Sequence, residues 1–215
     1  MIDRLYELRA TGVVAVLRAP SADHAVNAAD ALIAGGVSGI EVTYTTPDAP
    51  AAIREIAARH PDGVFLGAGT ITRPDQAGEA VRAGARFLVS PGSTPDVANA
   101  MRATGVPMLL GAITPTEVMT ALDLGADAIK LFPASLGGPA LLKALHGPFP
   151  GTPIVPTGGV TVDNLAAWMA AGATAVGGGG ELAPTSAILA GDWELLTRSA
   201  VQFIGAWHRA TAVTR

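Results

Sequence analysis

Short apolar runs and longer stretches of helical periodicity alternate along the whole chain. The runs are uninterrupted rather than in-out: Val13 to Leu17, Val64 to Leu66, Met108 to Leu110 and Ile154 to Val155 carry no regular polar partner. Strands of that kind suit a parallel sheet covered on both faces. Four segments share one pattern, a helix end, a glycine, a small residue and then a strand. They are Gly36-Val37-Ser38-Gly39-Ile40-Glu41, Gly84-Ala85-Arg86-Phe87-Leu88-Val89, Gly125-Ala126-Asp127-Ala128-Ile129-Lys130 and Gly172-Ala173-Thr174-Ala175-Val176-Gly177. A second set interleaves with the first, Gly12 to Arg18, Gly63 to Gly69, Gly105 to Gly111 and Gly151 to Thr157, so that eight strands are expected.

Helical patterns lie between them, over Asp23 to Ile33, Ala49 to Arg59, Asp75 to Arg82, Thr94 to Ala103, Thr116 to Leu124, Ala140 to Leu145 and Val162 to Ala170. Several follow a threonine and a proline, as in Thr46-Pro47, Thr72-Arg73-Pro74, Thr94-Pro95 and Thr114-Pro115-Thr116-Glu117. A hydroxyl can cap the free amides of a first turn, and proline fits just inside it. Strict alternation through eight units predicts a single (β/α)8 TIM barrel with a short N-terminal helix over Met1 to Leu8. At 215 residues the chain is near the short end for that fold, for which about 250 is typical, so one domain over residues 1–215 is expected.

Composition narrows the function. The chain is 49% hydrophobic and 15% charged, with a formal net charge of -4 and no cysteine. That excludes disorder, disulfides and a thiolate metal site, and without a basic block it gives no pull toward nucleic acid. No apolar run reaches the roughly eighteen residues of a membrane span, and the first residues lack the pattern of a secretion signal. A cytoplasmic protein with a small-molecule partner is the expectation. The four histidines, His24, His60, His146 and His208, are scattered without ligand spacing, so no metal site is expected. Trp168, Trp193 and Trp207 fall in helical contexts and read as packing anchors.

Only two of the fourteen basic residues are lysines. Lys143 falls where helical periodicity can solvate it; Lys130 sits in Ala128-Ile129-Lys130-Leu131-Phe132-Pro133. Apolar surroundings penalise an ammonium, and an unprotonated amine can attack a carbonyl to form a Schiff base. Aligned on their glycines, the first four repeats put Glu41, Val89, Lys130 and Gly177 at one equivalent position. Barrel interiors stack side chains in layers drawn from alternate strands, so these four should share a layer. Glu41 and Lys130 would then meet across the space left by Val89 and Gly177. A buried pair that merely fills the barrel would be a poor way to gain stability, and barrel chemistry resides at the carboxyl ends of the strands. The other strands place Arg18, Gly69, Gly111 and Thr157 at a similar depth. Arg18 offers a fork for a carboxylate or could instead pair with Glu41. Thr157-Gly158-Gly159 and Gly177-Gly178-Gly179-Gly180 follow the last two strands, the usual phosphate position in barrels.

Glu41-Val42-Thr43, Gly67-Ala68-Gly69-Thr70, Ser90-Pro91-Gly92, Lys130-Leu131-Phe132-Pro133-Ala134 and Pro156-Thr157-Gly158-Gly159-Val160 resemble the signature segments of the 2-keto-3-deoxy-6-phosphogluconate (KDPG) and 4-hydroxy-2-oxoglutarate (KHG) aldolases. The resemblance runs from about Leu8 to Leu189, in family order. It implies a class I aldolase without cofactor or metal, with Lys130 as the Schiff-base lysine and Glu41 as the general acid and base. It further implies that Thr70, Pro91, Phe132 and Thr157 surround the pyruvyl part of a 2-keto acid, that Gly158, Gly159, Gly179 and Gly180 hold the phosphate, and that the assembly is a homotrimer. Two departures stand out. Thr45 occupies a place where some members carry arginine, which shifts carboxylate binding to Arg18 and Thr70, and Gly180 replaces the serine of a Gly-Ser pair. An aldolase for the galactose-configured substrate, a phosphosugar isomerase and a non-catalytic sugar-phosphate-binding barrel are the other readings.

Overall fold

A computed structural model describes residues 5–212. The chain begins with α1 (Tyr6–Thr11), β1 (Val13–Leu17) and α2 (Ala22–Ala34), then β2 (Gly39–Thr43), α3 (Ala49–Arg59), β3 (Phe65–Gly69) and α4 (Pro74–Ala83). It continues through β4 (Leu88–Val89), α5 (Pro95–Ala103), β5 (Met108–Ala112), α6 (Pro115–Asp123), β6 (Ala128–Leu131) and α7 (Gly138–His146). It ends with β7 (Ile154–Pro156), α8 (Leu165–Ala170), β8 (Val176–Gly178), α9 (Thr185–Ala190) and α10 (Trp193–Ala212). All eight strands run parallel in the order β7-β6-β5-β4-β3-β2-β1-β8, and a bridge between Thr157 and Gly177 joins the two ends. This is the expected (β/α)8 barrel. The N-terminal helix begins later than its pattern suggested, and its predicted residues Met1 to Arg4 lie outside the described part.

The eight repeat glycines share a positive φ as well as a spacing. Gly12, Gly36, Gly63, Gly84, Gly105, Gly125, Gly151 and Gly172 all have φ between 66° and 117°. Only glycine enters that region without a steric penalty, so the repeat records a turn into each strand.

Two apolar cores result. The larger lies between sheet and helices and takes in Leu17, Ile40, Leu110, Ile129 and Trp168. The smaller fills the barrel with Val14, Phe65, Phe87, Val89, Leu109 and Val155, and α1 caps it from below with Leu8, joined by Leu5. Phe65 and Phe87 stack there with centroids 4.5 Å apart. Apolar burial therefore occupies the amino-terminal half of the interior and leaves polar chemistry to the carboxyl-terminal half. Trp168 is buried as an anchor, and Trp207 packs so closely on Gly12 that a Cβ there would overlap its indole.

The threonine caps need correction. Thr114 alone among the four forms a full capping box, accepting from the Glu117 amide at 3.3 Å while the Glu117 carboxylate accepts from the Thr114 amide at 2.8 Å. At α4 the cap residue is Arg73, and Gln76 supplies the acceptor for the amides of Thr72 and Arg73 at 2.9 and 3.0 Å. Thr94 precedes α5 without a side-chain bond. Thr46 does not cap α3 at all; the chain takes two further residues to reach the cap, Asp48, and the buried Thr46 hydroxyl accepts from the Ala19 amide at 3.1 Å. That bond ties the loops after β1 and β2 together.

Candidate active site

Lys130 on β6 and Glu41 on β2 meet inside the barrel, with Nζ donating to Oε1 at 3.3 Å. Both are buried, their side chains 3% and 4% exposed. The strands between them in the sheet are β3, β4 and β5, so the contact crosses the interior instead of following a ladder. The layer argument therefore holds for the pair. It fails for the space they use.

The gap beside Gly177 is already filled: a Cβ there would overlap the Thr157 side chain. Glu41 instead occupies the space beside Gly69, where a Cβ would overlap its carboxylate. The register explains this. Glu41 pairs with Gly67, and Gly69, two residues further, faces the same way. The glutamate leans along β3 toward the carboxyl end. Gly111 works in the same manner on β5, since a Cβ there would overlap the Pro91 carbonyl. That absence lets the Ser90-Pro91-Gly92 segment cross the barrel mouth, held by Ser93 Oγ donating to Gly111 O at 2.8 Å. At three inward-facing positions, glycine admits a candidate site residue from elsewhere.

Phe132 divides the mouth. Its ring centroid lies 5.5 Å from Lys130 Nζ, and it lines two cavities. One, of about 210 Å³, includes Pro91, Gly92, Gly111 and Glu117. The other, of about 280 Å³, includes Arg18, Thr157, Gly158, Gly159, Gly179 and Gly180. Larger hollows exist on the outer helical wall, such as one of about 520 Å³ walled by Asp23, Arg54, Glu55 and Arg59. That one is formed by α2 and α3, away from Lys130 and Glu41, so size does not locate the site.

Each remaining candidate has a place. Arg18 follows β1, exposed, with its guanidinium 3.9 Å from where a Gly179 Cβ would lie. It forms no ion pair with Glu41 among the described residues, which removes that alternative. Thr157 is buried and its amide donates to Leu131 O at 2.9 Å. Thr70 has φ 56°, a conformation that costs energy outside glycine and gathers at functional sites. Thr45 is exposed and 2.7 Å from Thr43 Oγ1, which itself donates to Leu17 O at 2.7 Å.

Several supporting residues escaped the sequence reading. Asn164 donates through Nδ2 to Gly159 O at 2.8 Å and accepts from the Thr161 amide at 2.9 Å, bracing the glycine loop after β7. Its spacing from Thr161 was the available signal. Gln76 and Glu181 had none, because nothing local marks a buried glutamine cap or a glutamate at a cavity wall. Among the described residues no three or more His, Cys, Asp or Glu side chains gather as a metal site would require, and no helix is long and apolar enough to cross a membrane.

An amine and a carboxylate in contact within a barrel, below a mouth of glycine loops, define the class of aldolases that work through a lysine Schiff base. A family model described as KDPG and KHG aldolase matches residues 5–199, and the chain belongs to that family. A Pseudoalteromonas atlantica protein named 2-dehydro-3-deoxy-phosphogluconate aldolase is 40% identical over 193 residues, 89% of each chain. The KHG/KDPG aldolase of Escherichia coli K12 is 39% identical over 87% of this chain and 88% of its own. The KDPG aldolase of Legionella pneumophila, solved with pyruvate captured as a covalent carbinolamine intermediate, superimposes with a TM-score of 0.84 at 33% identity, covering 94% of this chain and 97% of that one.

Proposed function

We propose that this aldolase reversibly cleaves 2-keto-3-deoxy-6-phosphogluconate to pyruvate and glyceraldehyde 3-phosphate, and 4-hydroxy-2-oxoglutarate to pyruvate and glyoxylate, through an imine on Lys130. The observation that carries the reading is the buried contact between Lys130 Nζ and Glu41 Oε1. The amine adds to the C2 ketone, and the carbinolamine hydroxyl leaves as water with a proton delivered from Glu41 through water, which leaves a protonated imine. Glu41, through water, takes the C4 hydroxyl proton as the C3–C4 bond breaks. The bonding electrons pass into the imine to form an enamine, and the aldehyde departs. Protonation at C3 and hydrolysis then release pyruvate and restore the amine.

Phe132, Pro91, Thr157 and Thr70 surround the pyruvyl part in this reading. Arg18 and Thr70, after β1 and β3 on either side of the strand that leads to Thr45, take the carboxylate. Gly158, Gly159, Gly179 and Gly180 present backbone amides to the distal end of the substrate. The family resemblance adds a homotrimer, and the sequence pattern a cytoplasmic location; sedimentation at the 21.6 kDa monomer mass would contradict the assembly. Cleavage assays with KDPG, its C4 epimer and KHG test the substrate. Pyruvate release from the galactose-configured epimer alone would move the assignment to that aldolase.

A further inference from the structure

We propose that Glu181 is a specificity residue that sets this site against a phosphorylated tail and toward 2-oxo-4-hydroxy acids whose distal end carries no phosphate. The inference rests on the aldolase reading above. The 280 Å³ cavity beside Phe132 is walled by Gly158, Gly159, Gly179 and Gly180, by the hydroxyl-bearing Thr157 and Thr161, and by two ionisable residues, Arg18 and Glu181. Glu181 is exposed and makes no ion pair or hydrogen bond among the described residues. Arg209, which shares a neighbouring hollow with Glu181 and Asp163, does not pair with it. Glu181 thus lines the cavity without an ion-pair partner among the described residues.

A phosphorylated substrate brings an anion at each end to a mouth with one arginine. If Arg18 engages the carboxylate beside the ketone, the distal phosphate meets backbone amides, neutral hydroxyls and a like charge; if Arg18 turns to the phosphate, the carboxylate loses its partner. Like charges brought into one partly desolvated cavity repel more than they would in bulk water. A short or unphosphorylated substrate avoids the conflict. Nothing steric prevents an added side chain at Gly180, where a Cβ would meet no atom within 4 Å.

The test compares kcat/KM for 2-keto-3-deoxy-6-phosphogluconate and unphosphorylated 2-keto-3-deoxygluconate in the native protein and in Glu181→Gln, at low and high salt. The ratio of phosphorylated to unphosphorylated substrate should rise about tenfold in the variant at low salt, the effect of relieving one like charge near a protein surface. The gain should shrink as salt screens the repulsion. An unchanged or lower ratio, with imine formation from pyruvate intact, overturns the role of Glu181 and leaves the aldolase standing. Failure of both proteins to cleave either of these substrates or 4-hydroxy-2-oxoglutarate overturns the proposed function and this inference together.

Discussion

Gly69 and Glu41 are a matched pair: the glutamate carboxylate lies where the glycine would otherwise place its first side-chain atom. The carboxylate that contacts Lys130 thus depends on a side chain that is missing from the next strand. Gly69→Ala should push Glu41 off Lys130, destabilise the barrel by about 1–3 kcal/mol as an overpacked core does, and lower turnover much as loss of Glu41 would. Denaturant melts together with pyruvate release would show it. Full activity in a stable Gly69→Ala protein would mean that Glu41 functions from another position.

Glu41→Gln keeps the shape and removes the proton-carrying group. Turnover should fall about a hundredfold or more, the range for a lost acid or base, while pyruvate can still be trapped on the lysine to a reduced extent. Near-normal turnover would leave Glu41 as a structural partner only. Stability should also drop, because Lys130 would lose the carboxylate it contacts in the barrel interior.

Gln76 tests whether the left-handed Thr70 matters. Its side chain fixes the amides of Thr72 and Arg73, its carbonyl accepts from Tyr44 Oη at 3.1 Å, and Ile71 N donates to Val89 O at 3.0 Å. These bonds hold the segment that keeps Thr70 at φ 56°. Gln76→Leu should raise KM for pyruvate-derived substrates severalfold with a smaller change in kcat, matching Thr70→Ala, and the double variant should be no worse than either single one. Additive losses would separate the two residues.

Acid should weaken the start of α6. Amide donors from Ile113 and Thr114, and then the Thr114 hydroxyl, hold the Glu117 carboxyl below its ordinary value of 4.5. A carboxyl depressed in the fold stabilises above its unfolded pKa, and that contribution is lost as pH falls through the folded value. Unfolding of the native protein should therefore gain a pH-sensitive component below about pH 4.5. Glu117→Gln should lack it while retaining normal behaviour near neutrality. Identical acid profiles for the two proteins would remove Glu117 from the account. Thr114→Ala should cost about 1 kcal/mol at neutral pH, as lost caps do.

The barrel was legible because its signals are local and repeated: eight glycines with positive φ, each leading into an apolar run. Lys130 and Glu41 were legible because those repeats can be superposed, which turns sequence position into depth in the barrel. What fills a gap was not. Gly177 and Gly69 look alike along the chain, and only the strand register decides that Thr157 takes the first space and Glu41 the second. Thr46 misled for a related reason, since its hydroxyl serves a neighbouring loop across 27 positions rather than the helix that follows it. Gln76, Asn164 and Glu181 gain their significance from surfaces that exist only after folding.

Reduction with borohydride in the presence of pyruvate, followed by peptide mass measurement, tests the central claim most directly. Two lysines are present, one buried against Glu41 and one, Lys143, exposed on α7. A single reduced pyruvyl adduct on the peptide bearing Lys130, absent from Lys130→Arg together with all turnover, is the predicted result. An adduct on Lys143 instead, or no adduct in a protein that cleaves its substrate, would contradict it.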